Sequence, residues 1–516
     1  MLPNNPQVST QSNKLDLKPW LLASLLIFAA LLRLFVLEQD SLWNDELSQV
    51  LVAHGSFAQS LTNMTKLTAS APIDYLITYF VLHYVGQSEI ALRLPAVIWG
   101  VLAVLMTYKL GAYLFDKRVA FLAAFLLTIV PLHIQYSREA RFYSLPTFLI
   151  LLVVFTFVRA TDKNTRLTWV LYGAALTFAL YSHFYAILVA GMLAFWLIPA
   201  WCVFKRYSLS VVKGFVVSSG VAFLVFMPWF GYFNANNPPG KPVYNYPTIS
   251  EVLVGPFVDV SLGGSVLDPQ ASLDTIRQKF FDYWGVIRWT VGIYWSLVLA
   301  GVVLVVRHSA PRSFRSHLSL LLLLFLGGIA SAFLIDYMTR YYFAARQFVF
   351  YTPFALLTAS ATMLFLVGSV GSQVNNRSRR SGLLGGAVIM MALVSLWIWW
   401  QPLTDNYKPS KQDWRGTSRY LLRNVRRDDV LLTPFSDFIG FYSPEVLAQA
   451  PAQFPEDRPA MANLAQSHHR IWIVLVHSPL YSRPPVLSQW IAVNHLLPLM
   501  FGRDLEIYSY SSEDTF

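Results

Sequence analysis

Long apolar runs dictate what this chain can fold into. Stretches such as PWLLASLLIFAALLRLFVLE, LLLLLFLGGIASAFLI and GLLGGAVIMMALVSLWIWW recur through the first four hundred positions. Each matches, or nearly matches, the roughly 20 apolar residues that a helix needs to cross a hydrocarbon core. Backbone polar groups in lipid must be satisfied within the segment, so such runs fold as helices. With 55% hydrophobic and only 13% charged residues among 516, a string of water-soluble domains is excluded. Reading the runs against their flanks predicts about eleven spans, near 18–37, 91–113, 119–136, 143–159, 167–183, 186–203, 209–231, 286–306, 318–335, 347–369 and 382–401.

The polar remainder orders these spans. Residues 1–17 read as a disordered cytoplasmic tail, and the first run, with no small-residue cleavage site after it, reads as a retained anchor. Every second connection is basic, with Lys109, Lys117, Arg118, Arg159, Lys163, Arg166, Lys205 and Arg206 among its residues. The positive-inside rule therefore places those connections and the N-terminus in the cytoplasm. It also accounts for the net charge of +11 without nucleic acid. One stretch, APIDYLITYFVLHYVG at 71–86, would invert this order if it crossed. Interrupted by Asp74 and His83, it is expected to lie at the outer interface on an apolar face of Ile73, Leu76, Ile77, Phe80 and Val81. Cys202 is the single cysteine, which excludes an intrachain disulfide and a multi-cysteine metal site.

The unusual chemistry falls on the opposite, outward connections. In the first (38–90), SLWNDELSQV sets Asp45 beside Glu46. The plain reading is a helix start capped by Asn44, with both acids favouring the positive end of the dipole. A capped first turn would also hold a carboxylate rigidly for accepting a proton. Neighbours on a helix diverge by roughly 100°, so one of the two is expected to face a site, and Asp45 is the choice. A second cluster, SREARFYSL, carries Arg138, Glu139, Arg141 and Tyr143. It reads either as an interfacial ion pair with a belt tyrosine or as a receptor for an anion held bidentately. Arg340 and Arg346, among Tyr341, Tyr342 and Tyr351, are snorkelling residues or a clamp for a lipid phosphate. His183, in YSHFY, could assist. A long outer loop spans 232–285. No G-x-x-x-x-G-K-[ST] or H-E-x-x-H occurs, so neither ATP-driven transport nor a metal is supported. A divalent cation at Asp45 and Glu46 remains an option without further ligands. After residue 401 a helical stretch, DWRGTSRYLLRNV, is followed by DDVLLTPFS, RIWIVLVHS and DLEIYSYSS, which alternate as strands. Residues 402–516 are thus expected to form a small extracytoplasmic α/β domain on an all-α polytopic membrane domain, 18–401.

With these residues in view, the chain resembles the GT-C superfamily of membrane glycosyltransferases, in particular the protein O-mannosyltransferase-like group of glycosyltransferase family 39, to which the lipid A aminoarabinose transferases are related. SLWNDEL looks like that group's first-loop acidic motif. SEIALRLPAVIWGVLAVLMTYKLGAYLF is similar to its ALRLPSALFG…YxLGRxLF segment, QYSREARFYSL to SxEARxY, and DWRGTSRYLL to a segment of its soluble tail. Where relatives carry HPPLYY, this chain has Ser70, Ala71, Pro72, Ile73, Asp74 and Tyr75. The resemblance implies sugar transfer from a polyprenyl-phosphate donor to a lipid, glycan or protein hydroxyl, with inversion, at the outer face of a bacterial cytoplasmic membrane. Asp45 would be the base or acceptor-orienting carboxylate. Glu139 and Arg141 would line the same site, Arg346 would meet the donor phosphate, and no cofactor is required. Rival readings are a glycan ligase or polymerase of the same membrane and a non-enzymatic lipid or solute transporter.

Overall fold

A computed structural model describes residues 18–66, 71–236, 284–307, 310–339, 348–372, 377–409, 411–455, 457–476, 485–501 and 505–511. The expected N-terminal tail, most of the long outer loop, Arg340 and Arg346 lie outside the described residues.

The first 236 residues give α1 (Pro19–Leu34), α2 (Asn44–Ala53), α3 (Phe57–Thr65), α4 (Pro72–Tyr84), α5 (Glu89–Leu114), α6 (Lys117–Ile129), α7 (Pro131–Tyr136), α8 (Ser144–Lys163), α9 (Arg166–Ser182), α10 (Ala186–Cys202) and α11 (Leu209–Asn236). Local sequence sets their ends. Proline occupies the first helical position of α1, α4 and α7, where its missing N–H costs nothing. Asp116 Oδ1 accepts from the N–H groups of Arg118 and Val119 to start α6, and Asn164 closes α8 at φ 46°, a conformation asparagine tolerates.

Among the described residues seven helices are long and apolar enough to cross a membrane: α5, α8, α11, Trp284–Val306, Arg312–Ile335, Thr352–Gly371 and Ser381–Asp405; α1 and α10 are shorter apolar helices. The expected count of eleven is therefore not reached by length and composition. The run at 119–136 is not one helix, because Pro131 disfavours helical geometry at the residue before it and Val130 is extended, at φ −66° and ψ 124°. Burial ranks the helices. About three quarters of α8's apolar window is enclosed (78%), against 28% for α11 and 22% for Ser381–Asp405. The central helix thus packs on all sides, while the peripheral ones present Leu224, Phe195 and Trp397 outward, as lipid-facing surfaces do. Close approach is built in at Gly100 of α5, where a Cβ would lie 2.4 Å from Ser137 Oγ.

The C-terminal domain opens with the helix Trp414–Asn424 and, among the described residues, contains five strands, β1 (Val430–Leu432), β2 (Ala452–Gln453), β3 (Arg470–Val476), β4 (Leu499–Met500) and β5 (Leu505–Ser511), in the order β2-β1-β3-β5-β4. The three stretches read as strands are strands. β1 runs parallel to β2 and β3, and β5 pairs antiparallel with β3 and β4. One face of this sheet shares its apolar core with the first connection: Leu42, Leu47 and Val50 pack in the same cluster as Trp414, Leu421, Trp472 and Val474. The helix α2 is therefore a joint element of both parts of the protein.

The DWRG stretch makes that joint. Asp413 Oδ1 accepts from the Gly416 N–H at 2.8 Å. A Cβ on Gly416 would fall 2.1 Å from Asp413 Oδ2, so the cap requires glycine there. Trp414 is fully buried; its N–H donates to Ser41 Oγ and its Nε1–H to Asn44 Oδ1. Arg415 pairs with Glu89 at 2.6 Å and donates to the carbonyls of Glu38 and Gln39. Trp414→Ala should cost about 3–5 kcal/mol, and Trp414→Phe, which keeps a ring but loses the bond to Asn44, about 1 kcal/mol. Thermal unfolding in detergent, with limited proteolysis of the first connection, checks this order.

Candidate active site

The site is organised by a buried ion pair. Glu46 and Arg93 are 0% and 3% exposed in their side chains and meet at 2.7 Å. Arg93 Nε–H donates to Glu46 Oε1 and an Nη2–H to Oε2. Its remaining N–H groups go to the carbonyls of Leu37, Asp40 and Ser41, so all five guanidinium donors are used. Glu46 also accepts from the Ala140 N–H at 2.7 Å and from the Trp43 N–H at 3.3 Å. Burial would raise this carboxyl's pKa, but the Arg93 charge and bonds hold it below the usual carboxylate range.

Both oxygens of Glu46 are thus engaged within the fold, so of the two adjacent acids it is the one turned inward. The start of α2 differs from the expected one. Trp43 occupies the cap position without a side-chain cap bond, Glu46 takes the Trp43 N–H, and Asn44 turns instead to Trp414. A carboxylate tied to a buried guanidinium outcompetes a neutral amide as the cap here.

Asp45, one position back, turns elsewhere. Its side chain is 21% exposed and lies 3.9 Å from Arg141 Nη2, itself 13% exposed. Arg141 Nη1 donates to the Asp45 carbonyl at 3.2 Å and the guanidinium lies over the rings of Phe142 and Tyr143. Tyr143 is buried against Tyr136. Glu139, 1% exposed, accepts from Lys411 Nζ at 2.9 Å through Oε1, while its buried Oε2 has no hydrogen-bond partner. Burial pushes the Glu139 carboxyl above its usual range, with Lys411 pulling it back. Lys411 also sits 5.1 Å from the Trp43 ring centroid.

Two other candidates have different surroundings from those expected. Arg138 does not face an anion receptor: its Nη1 donates to the Asn406 carbonyl, its Nη2 to Phe35 and Val36, and its guanidinium stacks on Tyr407. Backbone carbonyls take both Nη groups, while its buried Nε has no partner, and the side chain ties the end of α1 to the chain entering the C-terminal domain. His183 is buried between Phe142, Tyr185 and Phe350, and its Nδ1 accepts from the Tyr185 N–H. Tyr351 is wholly buried. Among the described residues no three His, Cys, Asp or Glu side chains gather as metal ligands.

Sequence reasoning passed over Asp74. The helix α4 forms, but its inward face is Pro72, Asp74, Tyr75, Thr78 and Leu82, while Phe80 is exposed. Of the expected apolar face, Ile73, Leu76, Ile77 and Val81 are half-buried and packed against the cores and Phe80 is exposed, while Asp74, read as an interruption, is buried. Gln49, one turn after Asp45 on α2, donates from Nε2 to the Asp74 carboxylate and to Thr78 Oγ1. Asp74 is within electrostatic reach of Arg141, and burial raises its pKa to about 6 despite the Gln49 bond and that charge. An acid among apolar residues in a membrane-edge helix was the available signal.

These groups lie at one end of the bundle. Opposite them, Tyr113 at the end of α5 meets Asp162 near the end of α8, and His317 meets the Leu114 carbonyl; there α6 and α9 begin with Lys117 and Arg166. The acidic site and these basic connections therefore occupy opposite ends of α5 and α8.

Residues 70–232, which hold Asp74, Arg93 and Arg141, match the family model for dolichyl-phosphate-mannose-protein mannosyltransferases. Solved structures match over nearly the whole chain. ArnT from Cupriavidus metallidurans in the apo state has a TM-score of 0.57 at 12% identity, covering 95% of this chain and 97% of that one. The same protein bound to undecaprenyl phosphate gives 0.53 at 13% identity over the same shares. The chain has the GT-C glycosyltransferase fold. The oligosaccharyltransferase of Archaeoglobus fulgidus, in complex with Zn and sulfate, also shares it, with a TM-score of 0.53 at 16% identity, covering 88% of this chain and 67% of that one. No curated protein sequence matches. At these identities the structural likeness is one of fold, and the glycosyltransferase class agrees with what the sequence motifs imply.

Glu46→Gln would leave the Arg93 charge buried without its counter-ion. It should destabilise the protein by about 3–5 kcal/mol, and replacing both partners with methionine should not restore it, because the Ala140 N–H and the carbonyls of Leu37, Asp40 and Ser41 would lose their partners. Thermal midpoints of the purified variants in one detergent test both expectations.

Proposed function

We propose that this chain transfers a sugar from a polyprenyl-phosphate donor to a hydroxyl acceptor at the extracytoplasmic face of a bacterial cytoplasmic membrane. The observation that carries the proposal is the Asp45–Arg141 pair, a partly exposed carboxylate and guanidinium held at the end of the bundle away from the basic connections. A lipid-linked sugar cannot leave the membrane, so its anomeric carbon has to be attacked near the bilayer edge. Arginine there suits a phosphate, and a rigid carboxylate suits the proton of an attacking hydroxyl. Orientation follows from charge: with Lys117, Lys163 and Arg166 on the cytoplasmic side, Asp45, Arg141 and the C-terminal domain face outward. The eleven-span topology belongs to this proposal, with α6–α7 and α9 as short crossings.

In the proposed reaction the acceptor oxygen attacks the anomeric carbon from the face opposite the phosphate. The bond from that carbon to the phosphate oxygen breaks, and its electron pair leaves with the polyprenyl phosphate. Asp45 takes the acceptor proton and Arg141 meets the charge that develops on the phosphate. Arg346, outside the described residues, is the second guanidinium assigned to that role from sequence. Glu139, anchored by Lys411, lines the same end. The scheme calls on no metal.

Membranes carrying the protein, incubated with radiolabelled polyprenyl-phosphate sugars, should glycosylate a lipid, glycan or protein. Asp45→Asn should lower turnover by at least about 100-fold while leaving the protein inserted and its thermal midpoint little changed. Near-normal turnover in that variant would refute the role of Asp45. Growth of a long glycan in place of single-sugar addition would favour a ligase or polymerase.

A further inference from the structure

A second carboxyl sits behind Asp45, and the proposed chemistry does not use it. Asp45 and Gln49 are four residues apart on α2 and share a face. Gln49 reaches across to Asp74 and Thr78, which are likewise one turn apart on α4. Asp74 is 6% exposed, has Arg141 within electrostatic reach, and shares Tyr75 with Asp45 as a neighbouring charge. Arg141 therefore stands between two carboxyls, one at the rim and one behind it.

We infer that Asp74 is a positioning residue of this site: it competes with the donor phosphate for the charge of Arg141, and so makes binding of a lipid phosphate depend on pH. The inference rests on the sugar-transfer reading for the identity of the ligand. Other charged groups on the elements around α4 are engaged elsewhere. Glu46 of α2 and Arg93 of α5 neutralise each other, Glu89 of α5 is held by Arg415, and Lys66 after α3 donates to Asn63. His183, the cap of α9, accepts from a backbone N–H. On α4 itself His83 lies between the carbonyls of Tyr79 and Gly55.

The direction follows from the sign of the charge. Burial raises the Asp74 pKa to about 6, so below that pH the carboxyl is neutral and Arg141 attracts the phosphate with less competition. Above it a second negative charge faces the same guanidinium and repels the ligand. Relative to a variant without this carboxyl, affinity for a lipid phosphate should fall as pH rises through about 6. One unit charge within electrostatic reach, in an environment between protein and water, changes an affinity by about threefold or more.

The probe is undecaprenyl phosphate, titrated into the purified full-length protein in detergent from pH 5 to pH 8. The ratio of wild-type to Asp74→Asn dissociation constants cancels the ligand's own ionisation. It should be about 1 at pH 5 and rise to about 3 or more at pH 8. Asparagine can still accept from Gln49, which preserves the packing. A flat ratio, or weaker binding by the variant at pH 8, overturns the inference. If Asp74→Asn does not fold, Gln49→Leu serves: removing a bond that favours the ionised carboxyl should move the wild-type transition to higher pH, and an unmoved transition overturns it equally. Binding with the expected pH limb but without sugar transfer sinks the transferase reading alone. Transfer with a flat ratio sinks this inference alone.

Discussion

One guanidinium at the edge of the bilayer organises the functional end of this protein. Arg93 leaves an apolar helix where water is scarce, and an isolated charge there would be costly. Its five N–H groups are met by Glu46 and by three carbonyls of the segment 37–41. Glu46 in turn holds the Ala140 N–H. Two pieces of chain that are distant in sequence, residues 37–46 and the loop at Ala140, are thereby fixed to the head of α5. The attraction between the partners is largely offset by their desolvation, so the value of the pair lies in where it puts its neighbours.

The neighbour that matters most is Asp45. With Glu46 turned inward, the helical twist directs the preceding carboxylate to Arg141 at the rim, while Gln49 on the next turn grips Asp74 behind it. A structural acid and a candidate reacting acid are thus adjacent in sequence, and their different partners separate their roles. The loop from Ser137 to Tyr143 shows the same division: Arg138 is consumed by backbone carbonyls, whereas Arg141 stays beside the carboxylates.

Much of this was legible in the sequence, and the omissions have physical causes. Apolar length announced a membrane protein, alternation located three strands of the terminal sheet, and the helical angle between adjacent residues implied that Asp45 and Glu46 would face different ways. Pattern alone could not say which arginines would find backbone partners, because the carbonyls that hold Arg138 come from residues 35, 36 and 406. Nor could it orient α4. Its apolar residues marked a face for the membrane interface, but the pattern carried no sign that the polar Asp74 and Thr78 would be buried against Gln49. Arg93 carried a readable signal, a charge inside ALRLPAV, yet its partner lay 47 positions away.

The Ser41 hydroxyl, bonded to the Gln412 carbonyl and the Trp414 N–H, joins positions 371 and 373 residues apart. At ribosomal speeds of about 5–20 residues per second, the first connection is synthesised roughly 20 to 75 seconds before these partners. During that interval α2 lacks the indole that covers Leu42 and Leu47. Folding therefore has a late step: until residues 412–414 are made, the first connection lacks the partners that lock it to the C-terminal domain.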